Sequence, residues 1–274
     1  MKQQILGFIG AGNMAGSLIG GLVSDGFAPG NIWVSDVDAA KLKDLESRFG
    51  INTSQDNRAV AERAQVIVLA VKPQILQSVA TELADTVQRR KPLMVSIAAG
   101  ITESALERWL GAGVALVRCM PNTPALVKTG ATALHGNDRI TDEQRNQAEA
   151  IMRSVGLAVW VEREELLDAV TALSGSGPAY FFMMMEAMEA AAIELGLDQA
   201  TARLLTQQTG LGAARIAIES EETPAELRKR VTSPGGTTER AIQAFETGGL
   251  YELVEKAMRA ASERSAELSR QLGG

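Results

Sequence analysis

The sequence predicts an α/β domain built on a parallel sheet followed by an all-helical domain, and three observations carry that expectation. A chain of 274 residues exceeds what one hydrophobic core usually organises, so two domains are expected. Short β-rich runs alternate with helical patterns through the first half. After about residue 163 those runs stop and the remaining sequence reads as helix. The expected division is therefore 1–163 and 164–274.

The β-rich runs lie at Ile5–Gly10, Asn31–Asp36, Val66–Val71, Leu93–Ala98 and Ala115–Met120. Helical spacing fills the gaps over Ala15–Asp25, Ala39–Phe49, Ile75–Val87 and Thr102–Leu110. Strands separated by single helices form βαβ units, whose strands run parallel. In the second half, Glu165–Gly196, Gln199–Ser220 and Leu250–Leu272 carry apolar residues at helical spacing. Pro178 falls inside the first of these. It lacks an N–H and clashes with the carbonyl of Ser174, so a kink is expected, whether for packing or for contact with a substrate. Met183, Met184, Met185 and Met188 form an adaptable apolar surface, read as core or subunit interface ahead of a substrate pocket.

Composition narrows the function. The chain is 46% hydrophobic, enough for real cores. A net charge of −6 and a pI near 5.1 argue against nucleic acid or an anionic membrane as partner. A single cysteine, Cys119, excludes an internal disulfide framework and fits a reducing cytoplasm. A single histidine, His135, leaves no histidine cluster for a metal and no Ser-His-Asp triad, so no metal site is expected. The N-terminal apolar run superficially resembles a signal peptide. Gly7, Gly10, Gly12, Gly16, Gly20, Gly21 and Asn13 interrupt it, and no targeting segment is expected. Glu186 and Glu189 interrupt the best candidate for a membrane span. A soluble cytoplasmic protein with a small-molecule substrate is the expectation.

"FIGAGNMAG" follows the first strand and opens the first helix, the context of a dinucleotide-binding fingerprint and hence of a Rossmann-type domain. Gly10 allows the tight turn, Gly12 lets the backbone approach a pyrophosphate, and Ala15 is the third small position, where helix packs on strand. Free N–H groups at the helix start then face phosphate. At the end of the second strand, Asp36 favours a free ribose 2′-hydroxyl and hence NAD, whereas Ser35 and its neighbours suit a 2′-phosphate; both readings stand. Ligands of open α/β sheets bind beyond the carboxyl ends of the strands. "VKPQ", "AAGI" and "CMPNTP" sit at such ends, either as rigid close approaches to a flat ring or as ordinary turns. Cys119 lacks an evident base, and His135 reads as a satisfied or surface histidine.

In the second half, "VTSPGGTTERA" (Val231–Ala241) breaks a helical region. Pro234 ends one element, Gly235 and Gly236 permit unusual dihedrals, and Thr237 or Thr238 is expected to cap the next helix. The segment is either a plain connector or a cup of N–H groups and hydroxyls that holds an anion without a charged side chain.

An ordered set of stretches runs the length of the chain: "GFIGAGNMA", "AVKP", "AAGI", "RCMPNTP", "GATAL", "LLDAVTALSGSGPAYFF" and "VTSPGGTTERAIQAFE". In these the chain resembles the pyrroline-5-carboxylate reductase family. The resemblance implies NAD(P)H-dependent reduction of the cyclic imine 1-pyrroline-5-carboxylate to L-proline, the last step of proline synthesis, with NADPH preferred and NADH accepted. It also implies a Rossmann domain followed by a helical dimerisation domain, a homodimer, and in some members dimers assembled further into decamers. By residue, it implies that Gly10, Ala11, Gly12, Asn13 and Met14 line the pyrophosphate and adenosine. Ser35 and Asn57 meet the adenosine ribose and its 2′-phosphate; Ala70, Val71, Lys72, Pro73, Ala98, Ala99 and Gly100 border the nicotinamide. Gly235, Gly236, Thr237 and Thr238 hold the substrate carboxylate and ring nitrogen, Thr238 being the catalytic hydroxyl, and Glu164 approaches the product proline. Arg230 departs from the family, where many members carry asparagine.

Two other readings of the residues stand beside this one. A reductase of the hydroxyacid dehydrogenase type needs a catalytic lysine or histidine in the helical domain, where no single candidate stands out. A non-enzymatic dinucleotide sensor keeps "GFIGAGNMA" but has no need of "SPGGTT".

Overall fold

A computed structural model describes residues Gln4–Gly273. Contacts divide the chain into two compact units, 1–176 with 260–274, and 177–259.

The first unit is an eight-stranded sheet with helices on both faces. Its strands are β1 (Leu6–Ile9), β2 (Ile32–Ser35), β3 (Asn52–Ser54), β4 (Val66–Leu69), β5 (Leu93–Ser96), β6 (Leu116–Met120), β7 (Gly130–Gly136) and β8 (Gly156–Trp160). They lie in the order β3-β2-β1-β4-β5-β6-β7-β8, all neighbours parallel except β6 and β7. The first six follow the doubly wound order, whose direction reverses between β1 and β4. The expected strands correspond to β1, β2, β4, β5 and β6. The sequence reading missed β3, β7 and β8, the first short and polar, the other two rich in alanine and glycine.

Every residue of β1, β4 and β5 is buried, as expected of strands covered on both faces. The pleat divides their side chains between two cores. Phe8, Val68 and Val95 pack with helices α1 (Asn13–Ser24) and α2 (Ala39–Phe49) on one face. Ile9, Leu69 and Met94 pack with α3 (Asn57–Ala61), α4 (Pro73–Arg90) and α5 (Glu103–Leu110) on the other. In α1, Ala15, Leu18, Ile19 and Leu22 recur at helical spacing and are buried. Asp38 caps α2 by accepting the N–H groups of Ala40 and Lys41, and Pro73 fills the first position of α4. Thr102, expected as helical, is instead the cap of α5, its hydroxyl accepting from the Ala105 N–H. Helix α6 (Asp142–Arg153) was also missed; a capping box of Thr141 and Gln144 starts it, and Ala148, Ile151 and Met152 join the first core.

After β8 the chain forms α7 (Leu166–Val170) and a π-helical turn over Thr171–Gly175. These residues belong to the first unit, as does the chain end, where Ser265 donates to Asp168 at 2.6 Å. By contacts, the break thus falls after Ser176, later than 163/164, because Leu167 and Ala172 are buried with the sheet domain.

The second unit is all helical: α8 (Gly177–Glu194), α9 (Gln199–Glu219), α10 (Pro224–Arg230), α11 (Thr237–Thr247) and the first part of α12 (Leu250–Leu272). The kink expected at Pro178 is realised as the π turn followed by a new helix, with Pro178 in its first turn. Arg228 ties three of these helices together, donating to Glu246 at 3.2 Å and to Tyr251 at 2.6 Å.

Candidate functional site

The glycine loop lies where the sheet order reverses. Gly10 has φ +106°, and a side chain there would place Cβ 2.7 Å from the Ala70 carbonyl oxygen. Only glycine fits between the ends of β1 and β4. Gly12 differs: a Cβ there would meet nothing within 4 Å, so its small size leaves open space beside the start of α1. Gly12, Asn13 and Met14 bring the first free N–H groups of that helix to the same place. This arrangement fits a dinucleotide pyrophosphate. A groove of about 560 Å³ starts at Ala11–Asn13 but runs along α1 and α2 toward Phe49, away from the strand ends, so only its mouth belongs to this site.

At the end of β2, Ser35 is fully buried and its hydroxyl donates to Asn57 Oδ1 at 2.8 Å. Asn57 in turn donates to Glu82 at 3.2 Å. The two residues expected at the ribose are thus hydrogen-bonded to each other. Asp36 points elsewhere: its carboxylate accepts the N–H of Ala11 at 2.7 Å and that of Asp38 at 2.9 Å. Ala70, Val71, Lys72 and Pro73 form the turn from β4 into α4, and Ala98, Ala99 and Gly100 follow β5. Both turns stand at carboxyl ends of adjacent parallel strands.

Glu164 lies in a cluster of ionisable side chains that sequence reasoning missed. Its Oε1 accepts from Arg118 at 2.5 Å and from the Glu103 N–H at the start of α5 at 2.7 Å. Arg118 and Glu164 are only 10% and 23% exposed. Across the β6–β7 register Arg118 pairs with His135, whose Nδ1 lies 2.7 Å from Glu103 Oε1. Burial pushes the Glu103 carboxyl above its ordinary value, against the opposing pull of His135. His135 is therefore a satisfied histidine. Without β7 in view, nothing in the sequence joins these four positions. Cys119 is buried and burial pushes its thiol far up, which leaves it inert as a nucleophile.

In the second unit the break between α10 and α11 holds Gly235 at φ +71°, a left-handed conformation suited to glycine. The cap expected from threonine is not there: Gly236 is the N-cap of α11, and no side chain caps it. Thr237 and Thr238 are its first two residues, so neither hydroxyl is spent on capping. Glu239 folds back to accept the Gly235 N–H at 2.8 Å, and the Gly236 N–H donates to Ser233 at 3.0 Å. The first bond of the helix itself is Arg240 N–H to Gly236 at 3.4 Å. The N–H groups of Thr237, Thr238 and Glu239 precede it and have no intrahelical partner. Arg230 is ion-paired with Glu222 at 2.5 Å. Among the described residues no group of three or more His, Cys, Asp and Glu could hold a metal ion, and no helix is long and apolar enough to cross a membrane.

Comparison with known proteins starts the second part at residue 164, ahead of the contact-based break after Ser176. Residues 5–100 match the family described as NADP oxidoreductase, coenzyme F420-dependent, and residues 164–268 match pyrroline-5-carboxylate reductase dimerisation. The chain is similar to a pyrroline-5-carboxylate reductase of Pseudomonas aeruginosa, 50% identical over the whole of both chains. A solved pyrroline-5-carboxylate reductase from Coxiella burnetii is 48% identical, with a TM-score of 0.94 over 97% of this chain and 98% of that one. The Plasmodium falciparum pyrroline carboxylate reductase, solved with NADP bound, is 27% identical with a TM-score of 0.87 over 98% and 99%. On full-length identity and on fold, the chain belongs to the pyrroline-5-carboxylate reductase family.

Proposed function

We propose that this protein reduces 1-pyrroline-5-carboxylate to L-proline, the last step of proline biosynthesis, with NADPH preferred and NADH accepted. The observation that carries the reading is the start of α11, where Thr237 and Thr238 open the helix with hydroxyls free of capping. Nothing in the fold asks for two hydroxyls there. A substrate with a carboxylate and a ring nitrogen does. The 50% identity to the Pseudomonas aeruginosa reductase supports the same substrate.

The nicotinamide, when bound, supplies the hydride. The chain must hold two ligands in register and meet the nitrogen as it gains its proton. Gly10, Ala11, Gly12, Asn13 and Met14 take the pyrophosphate and adenosine, and Asn57, held in place by the buried Ser35 hydroxyl, meets the ribose with its 2′-phosphate. Ala70–Pro73 and Ala98–Gly100 border the nicotinamide. Gly235 and Gly236 shape the carboxylate cradle, but their own N–H groups are held by Glu239 and Ser233, so the carboxylate takes those of the first helical turn. Thr237 lines that turn and Thr238 is the catalytic hydroxyl at the nitrogen. Glu164, with Oε1 anchored by Arg118 and the Glu103 N–H, offers its other oxygen to the proline side of the reaction. The enzyme acts as a homodimer through its helical segment, with decamers as assemblies of dimers, and works in the cytoplasm on a small molecule.

Following NADPH oxidation with 1-pyrroline-5-carboxylate and with a panel of 2-oxo acids tests the reading. Turnover with the imine alone is expected, with a higher kcat/KM for NADPH than for NADH. Turnover with an oxo acid in its place would move the protein to the hydroxyacid dehydrogenase type. Dinucleotide binding without turnover on any substrate would make it a sensor.

A further inference from the structure

We infer that Asp36 is a positioning residue for the glycine loop and not a reader of the cofactor ribose. An acidic residue at the end of the second strand ordinarily accepts from a free 2′-hydroxyl, which favours NAD. Here both carboxylate oxygens are engaged by backbone. Oδ2 accepts the Ala11 N–H at 2.7 Å and Oδ1 accepts the Asp38 N–H at 2.9 Å. The neighbouring Gly10 N–H donates to the Ser35 carbonyl at 2.7 Å. Two successive N–H groups of the loop are thus fastened to the end of β2, one by main chain and one by Asp36.

The consequence is an ordered loop and a carboxylate of fixed direction. Hydrogen bonds to an ionised acceptor are about twice as strong as neutral ones. Turning the carboxylate away from the Ala11 N–H toward a ribose hydroxyl would therefore gain little and would release the loop at its tightest point. The two N–H donors also compensate part of the negative charge, which lessens repulsion of a 2′-phosphate at the same strand end. The N–H groups of Gly12, Asn13 and Met14 stay available to the pyrophosphate because the loop before them is pinned. This inference rests on the reading that the chain binds a nicotinamide dinucleotide, and it removes the apparent conflict between Asp36 and a preference for NADPH.

Titration calorimetry of the full chain with NADP+ and separately with NAD+ tests it, on the wild type, D36A and D36N, with the melting temperature recorded for each. For D36A, loss of a charge-assisted bond at the loop should raise both Kd values by about tenfold. The ratio of the two Kd values should stay within about twofold of wild type. D36N keeps one acceptor and should fall between wild type and D36A; it carries the test if D36A does not fold. A selective rise of about tenfold in the NAD+ Kd, with NADP+ unchanged or tighter, would mean that Asp36 reads the 2′-hydroxyl and would overturn the inference. A lowered melting temperature with both affinities intact would reduce Asp36 to a strut of the fold and overturn it equally. Wild type that binds neither dinucleotide would overturn the cofactor reading itself, and this inference with it.

Discussion

Thr238 and Thr237 stand side by side at the start of α11, yet the cap of that helix is Gly236. Removing the Thr238 hydroxyl therefore takes no bond from the fold. Thr238→Ala should change stability by no more than about 0.5 kcal/mol. If the hydroxyl serves the ring nitrogen, the same variant lowers kcat by at least about tenfold while the Kd for NADPH stays unchanged. A rise in KM for the imine with kcat intact would mean that it binds without assisting proton transfer. Glu103 gives a second test, through pH. Burial raises its carboxyl above the ordinary 4.5, so between that value and the raised one the folded protein holds more protons than the unfolded chain. Stability from this group is greatest below 4.5 and falls as pH rises through the raised value. Glu103→Gln should flatten that fall, which denaturant melts at a series of pH values will reveal. The break before α11 was legible because its proline and glycines sit in one compact motif. The Arg118–Glu164 and Glu103–His135 pairs were not, because their members come from four separate parts of the chain.

Among elements, the π turn before α8 has a specific support. Pro178 has no N–H to offer the Ser174 carbonyl, and Asn122 Nδ2 donates to that carbonyl instead, at 3.0 Å. The same side chain accepts the Ala131 N–H of β7 at 2.8 Å and is 9% exposed. Asn122→Ala would leave a half-buried donor, the Ala131 N–H, and a half-buried acceptor, the Ser174 carbonyl, without this partner, and should cost about 1 kcal/mol in denaturant unfolding. The proline made a kink expected from sequence. It did not tell what would satisfy the freed carbonyl, since the partner lies in the "RCMPNTP" loop far away in sequence. Strands β1, β4 and β5 were legible as continuous apolar runs. "GATALHG" and "GLAVW" were not, because small residues blur the alternation on which a strand is recognised.

At the scale of the whole molecule, α8 carries apolar side chains around its circumference. Phe181, Phe182 and Met183 are 70%, 64% and 72% exposed in a single chain. A helix apolar on all sides needs cover on all sides. Light scattering at micromolar concentration should therefore find a dimer, whereas a stable, active monomer would contradict the account. The central claim concerns chemistry and is tested most directly by following the hydride. NADPH carrying deuterium at the transferable position of its nicotinamide should yield L-proline with that deuterium on the δ carbon, the former imine carbon, as read by mass spectrometry and NMR. Proline formed without the label, or no proline formed while NADPH remains bound and unoxidised, would contradict it.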